Sequence, residues 1–98
     1  MTKAKRLDMV KRFIREPYAW PGGYPCYLIT DDGGVLSHQA AKSEFREIVS
    51  AVLSCQRQSG WYPAAVNINY EDGELFCDHT GERIESAYAE PEDDAAAI

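Results

Sequence analysis

WYPAAVNINYEDGELFC, residues 61–77, decides the fold. From Trp61 to Tyr70 the side chains alternate. Ala64, Val66, Ile68 and Tyr70 fall on one face and Asn67 and Asn69 on the other, the period of two of an extended strand. EDGE at 71–74 then reverses the chain, and LFC at 75–77 is expected to pair back as the second arm of a hairpin.

Upstream the same pattern recurs. CYLIT at 26–30 is a short β run, DDGG at 31–34 a turn, and VL at 35–36 the returning arm. Ser37 then stands where a helix N-cap belongs. Phe45, Ile48, Val49, Val52 and Leu53 repeat at helical spacing, which predicts a helix over roughly 39–57 that ends at Gly60. Residues 3–15, KAKRLDMVKRFIR, read as an amphipathic helix. Leu7, Val10, Phe13 and Ile14 share one side with Met9 at its margin, and Lys5, Lys11, Arg12 and Arg15 lie opposite. Pro17 stops it, because the residue before a proline is pushed out of the helical region. PYAWPGGYP at 17–25 is too aromatic for a flexible linker and reads as an ordered loop.

These elements predict one α+β domain over residues 1–90. Its small antiparallel sheet consists of two β-hairpins, with a packed central helix and an N-terminal amphipathic helix. PEDDAAAI at 91–98 has nothing to bury and is expected to be a disordered acidic tail. At 45% hydrophobic and 27% charged the chain has an ordinary globular composition. No apolar run approaches the ~18 residues of a membrane span. The basic start leads into no signal-peptide core. Cys26, Cys55 and Cys77 are odd in number and widely spaced, a poor disulfide framework, so a reducing cytoplasm is the expected setting.

Charge divides along the chain. Residues 1–15 hold six Lys/Arg and one Asp, whereas residues 16–98 hold four Lys/Arg and fifteen Asp/Glu. The body therefore repels nucleic acid while the first helix attracts it locally. Catalytic signals are missing. The paired glycines at 22–23 and 33–34 match neither a P-loop nor a dinucleotide fingerprint. Cys77, Asp78 and His79 crowd one turn, where side chains two apart do not reliably meet as a nucleophile–base pair. No catalytic residue and no cofactor is expected.

VLSHQAAKSEF and LFCDHTGERIESAYAE look like the two halves of a zinc ribbon in which most thiolates are missing. Together with REPYAWPGGYP, DDGGVL and SGWYPAAVNINYEDGE, they resemble small phage- and prophage-encoded zinc-ribbon-like proteins of unassigned function. The likeness covers roughly residues 15–90, and its most specific part is the closing CDHTGERIESAYAE. It places the family's metal ligands at Ser37, Ala40, Cys77 and Thr80. Only Cys77 keeps a thiol, so the expectation is a degenerate ribbon without metal. His38 and His79 sit one residue off the ligand slots and are expected to point elsewhere. Cys77 is then a small buried residue and Thr80 bonds its own turn.

The phage resemblance supplies the context and the acidic balance of the body the direction: the expectation is a non-enzymatic, phage-type, anti-CRISPR-like protein of the host cytoplasm. It would bind and inhibit a host protein or protein–nucleic acid complex, with a defence complex such as a CRISPR effector among the targets. Two sets of residues are candidates for the partner surface. One is acidic: Asp31, Asp32, Glu71, Asp72, Glu74, Asp78, Glu82 and Glu85, which gather at one end if both hairpins point the same way. The other is aromatic: Tyr18, Trp20 and Tyr24, held by the prolines of their loop. The alternative is a small nucleic-acid-binding regulatory ribbon using the basic face of the first helix.

Overall fold

Helix α1 (Lys3–Arg15) starts at Thr2, whose hydroxyl accepts the Lys5 amide, and closes at Glu16, whose amide bonds the Arg12 carbonyl just before Pro17. Val10 and Phe13 are buried and Leu7, Met9 and Ile14 half-buried, as the apolar stripe predicts. The structure is a computed structural model, and residues 1–19 and 22–88 are described. The predicted tail at 91–98 and Trp20 lie outside them.

Four strands form an antiparallel sheet around β2 (Tyr24–Thr30). The predicted first hairpin is present. β3 (Val35–Leu36) pairs with β2 through Leu28↔Leu36 and Ile29↔Val35. A second short partner, β1 (Tyr18–Ala19), comes from the segment read as a loop and pairs Tyr18 with Pro25 and Ala19 with Tyr24. The Cys26 amide donates to Pro17 and the Thr30 amide to Gly34, so β1 and β3 share one edge of β2. Strand β4 (Pro63–Ile68) takes the other edge, running from Thr30↔Pro63 to Cys26↔Ile68.

The second hairpin is where sequence and structure part. β4 pairs with β2, not with LFC. Phe76 bridges to Arg83 instead, within a compact lobe where the Ile84 amide bonds the Leu75 carbonyl and the Cys77 amide bonds the Glu82 carbonyl. Asn69 explains the turn's redirection. Instead of facing outward it is buried, its Nδ2 donating to the Asp72 and Glu85 carbonyls while its Oδ1 accepts the Asp72 amide. One side chain thus closes the 69–72 turn and draws residue 85 alongside.

The central helix is two helices, α2 (His38–Ser43) and α3 (Phe45–Leu53), with Glu44 between them at φ −109°, ψ 26°. Ser37 caps α2 as predicted, its hydroxyl accepting the Ala40 amide at 3.1 Å. At the break the Ser43 hydroxyl donates to the Ala40 carbonyl, which already takes the Glu44 amide. Such back-bonding competes with the helical ladder and bends it. The helix ends at Leu53, short of residue 57. Cys55, not Gly60, supplies the left-handed residue after it, at φ 53°. Leu53 itself is 56% exposed and contributes little to the core.

The core joins Val10 and Phe13 of α1, Leu28, Leu36, Ala40, Ala41, Ile48 and Val52, and closes over Cys77 and Ile84 from the C-terminal lobe. Arg6 ties α1 to β4. Its guanidinium donates to the Pro63 carbonyl at 2.5 Å and lies 4.5 Å from the centre of the Tyr62 ring. Among the described residues no helix is long and apolar enough to cross a membrane.

Candidate functional site

The β2–β4 register brings an aromatic cluster to one end of the sheet. Cys26 lies opposite Ile68, so two residues further out Tyr24 meets Tyr70 on the same face, with ring centres 5.4 Å apart. The chain returns to this point because the Ala87 and Tyr88 amides donate to the Asn69 and Tyr70 carbonyls. The Tyr88 ring then sits edge-on to Tyr24 at 5.9 Å, and the two hydroxyls are 3.0 Å apart. Tyr70 is 49% and Tyr88 59% exposed, so the cluster is a surface and not a core. Tyr18 flanks it, its hydroxyl donating to Glu85 at 2.7 Å.

Two of these phenols have raised pKa values. The Glu85 hydrogen bond raises the Tyr18 pKa, with burial adding to it. The hydrogen bond to Tyr24 does the same for Tyr88, helped by burial and by the charge of Glu71. Glu71, Asp72 and Glu74 border the cluster on the loop after Tyr70. Asp72 is spent on that loop, accepting the Glu74 amide. Glu71 and Glu74 are exposed and enter no ion pair among the described residues.

The acidic set does not gather at one end. Asp31, Asp32 and Asp78 lie at the far end of β2, about 20 Å away along seven extended residues. There they brace a turn. Asp31 pairs with Arg57 at 2.7 Å. Asp32 accepts the Thr30 hydroxyl and the Gly34 amide, and Asp78 accepts the Val35 amide at 2.7 Å. The Thr30 hydroxyl holds the Asp32 carboxyl below its ordinary pKa against a smaller effect of burial, with the Gly34 amide helping. Gly34 is required here, because a Cβ would lie 2.7 Å from the Thr30 hydroxyl and 3.0 Å from Asp78. Glu82 sits between the two ends, on a groove of about 400 Å³ that Tyr18, Cys26, His38, Arg83 and Glu85 also line.

Of these tyrosines the sequence singled out Tyr18 and Tyr24 as candidates and did not single out Tyr70 and Tyr88. Tyr70 was legible as the next residue on the strand face after Ile68. Tyr88 was not, because its place depends on the Asn69 closure.

Three of the four positions that the resemblance would assign to metal ligands meet around one sulfur. The Ser37 amide donates to the Cys77 sulfur at 3.3 Å, and Cys77 is 2% exposed. Burial opposes ionisation of this thiol. The hydroxyl and amide of Thr80 and the amide and hydroxyl of Ser37 outweigh it and place its pKa below the ordinary value. Ala40, the fourth slot, is fully buried in the same core cluster as Cys77. Thr80 also accepts the Glu82 amide, within its own turn.

Both histidines point away from the sulfur. His38 Nε2 is 2.7 Å from the Ile14 carbonyl. His79 lies edge-on to Trp61 with ring centres 5.0 Å apart, and its Nε2 is 3.6 Å from Glu44. Among the described residues no three His, Cys, Asp or Glu side chains are grouped to hold a metal ion. Comparison with protein-family models, curated proteins and solved structures gives no match.

Proposed function

We propose that this chain is a non-enzymatic interaction protein of phage type that binds and inhibits a host protein, with a nucleic-acid-binding defence complex such as a CRISPR effector as the target class. The observation that carries the reading is the Tyr24–Tyr70–Tyr88 cluster, exposed at Tyr70 and Tyr88 and bordered by Glu71 and Glu74, whose carboxylates enter no ion pair among the described residues. Tyrosines offer large contact area at low entropy cost and recur at the centre of protein interfaces. Carboxylates beside them suit a basic partner surface, such as one that otherwise holds phosphates.

The scaffold we propose is a degenerate zinc ribbon. Packing and hydrogen bonds around Cys77 take the place of the metal, and the residues at the other three slots are non-ligating. The resemblance to phage proteins supports the inhibitory role and the bacterial cytoplasm as its setting.

A second reading, a nucleic-acid-binding regulatory ribbon, rests on the exposed Lys5, Lys11, Arg12 and Arg15 of α1. One experiment separates the two. The tagged protein and its Tyr70→Ala/Tyr88→Ala double variant are each purified from bacterial lysate, with nuclease treatment. A host protein held by the wild type, lost with the variant and blocked in its own activity supports the leading reading. Recovery that depends on intact nucleic acid supports the second. Equal recovery by both proteins rejects the tyrosine face.

A further inference from the structure

A second surface has the opposite charge. Lys11, Ile14 and Arg15 of α1 and Lys42 and Phe45 at the α2–α3 break line a groove of about 310 Å³. Ile14 and Phe45 are half-buried and pack on the core, giving the groove an apolar floor. Lys11, Arg15 and Lys42 are exposed at its rim.

The ion pairs among the described residues are Arg57–Asp31 and His79–Glu44, so none of the three rim cations takes part in one. The chain has sixteen Asp/Glu, against six Lys/Arg in α1 and four beyond it, yet among the described residues no carboxylate lines this groove. Lys11 and Arg15 are four apart on one helix face, where like charges repel. The fold thus holds three mutually repelling cations around an apolar floor, the anatomy of a polar rim around an apolar interface centre.

We infer that this groove docks an acidic peptide segment of a partner protein, one that presents an apolar side chain flanked by carboxylates. The apolar side chain covers Ile14 and Phe45, and the carboxylates meet Lys11, Arg15 and Lys42. A neighbouring groove along His38, Gln39 and Ser43 shares Lys42 and extends the path along α2. Phosphates would also satisfy the cations. A long polyanion, however, would work against the chain's net charge of −6, whereas a short peptide spans the groove alone. The groove shares no residue with the tyrosine face.

Fluorescence anisotropy with a short labelled peptide, glutamates flanking a leucine–phenylalanine pair, tests the inference. An all-glutamate peptide and an oligothymidylate of equal charge serve as comparators. The expected result is saturable binding of the mixed peptide, weakened about tenfold by Lys42→Glu or Arg15→Glu, with the all-glutamate peptide about tenfold weaker. Both substitutions are at exposed positions, and circular dichroism checks that each variant is folded. Amide chemical shifts should move at Ile14 and Phe45. Absence of saturable binding, equal binding of the all-glutamate peptide, tighter binding of the oligonucleotide, indifference to both charge reversals, or shifts confined to Tyr70 and Tyr88 would each overturn it.

Discussion

The Ser37 amide and the Cys77 sulfur, forty positions apart in the chain, are joined by a hydrogen bond of 3.3 Å. It fixes the cap of α2 to the C-terminal lobe, and Thr80 closes on the same sulfur. If this is a ribbon centre that has lost its ligands, thiols at the other three slots should restore it. The wild type is expected to hold no stoichiometric zinc. The Ser37→Cys/Ala40→Cys/Thr80→Cys variant is expected to take up one zinc per chain, with a higher Tm that chelation removes. Metal analysis of both proteins decides it. Stoichiometric zinc in the wild type, or none in the triple variant, rejects the degenerate-ribbon reading.

The three thiols differ in access, and their alkylation should separate accordingly. Cys55 is exposed on the turn after α3, Cys26 is half-buried with a pKa raised by burial, and Cys77 is buried. The lowered pKa of Cys77 favours its thiolate, but its burial withholds it from reagent. Maleimide under native conditions should label Cys55 first and Cys26 slowly, with Cys77 labelled only in denaturant. Mass spectrometry of digested samples reads the order, and early labelling at Cys77 would show that the C-terminal lobe opens readily.

Asn69 is expected to be the most sensitive polar position. Asn69→Ala removes three side-chain hydrogen bonds and leaves the Asp72 and Glu85 carbonyls and the Asp72 amide unpaired. The expected loss is about 2–3 kcal/mol in urea denaturation. Tyr88 should lose its place as well, visible as weakened near-ultraviolet tyrosine signals.

Local grammar made part of this fold legible, and non-local closure hid the rest. α1 was readable because its stripe and Pro17 lie within one short window, and the Thr2 cap was added by the structure. The β2–β3 hairpin was readable because DDGG encodes a tight reversal. The expected 61–70/75–77 hairpin failed although its strand half was right. Asn69 carries the residue type of a solvent-facing strand position, yet it closes a turn, and that use depends on Glu85, far along the chain. The same gap affects the surface. Eight carboxylates were visible in the sequence, but β2 puts three of them at the end opposite Glu71 and Glu74, and the Asp31–Arg57 pair joins residues 26 apart.

Acid should expose the turn brace. In the folded chain the Thr30 hydroxyl, with the Gly34 amide, holds the Asp32 carboxyl below its ordinary value of 3.8. Folding therefore favours the ionised form. The resulting stability is complete above the unfolded pKa and is lost as pH falls through the lower folded value. From pH ~6 to pH ~3 the wild type should lose more stability than Asp32→Asn, with the two curves converging at the acid end. Urea titrations across this range measure it. Parallel curves would mean that the ionised Asp32 carboxylate adds no pH-dependent stability through the Thr30 hydrogen bond.

The tyrosine end should divide its labour between rate and residence. Glu71 and Glu74 are exposed and among the described residues bond no neighbour through their carboxylates, so reversing them to Lys alters the field without disturbing the turn. Asp72 is unsuitable, because its carboxylate and amide both hold the loop. Against a purified host target, the Glu71→Lys/Glu74→Lys variant should associate several-fold more slowly at low salt. The difference should fade at high salt, since steering charges act over about 8 Å at physiological ionic strength. Tyr70→Ala and Tyr88→Ala should leave association almost unchanged and speed dissociation about tenfold or more, because desolvated aromatic anchors set residence. Tyr24→Ala is less clean, since Tyr24 contacts both other rings and pairs with Ala19. Surface plasmon resonance at two salt concentrations separates the effects. Should the tyrosine variants release the target no faster than wild type, the cluster is a structural cap of the sheet end and the contact surface lies elsewhere.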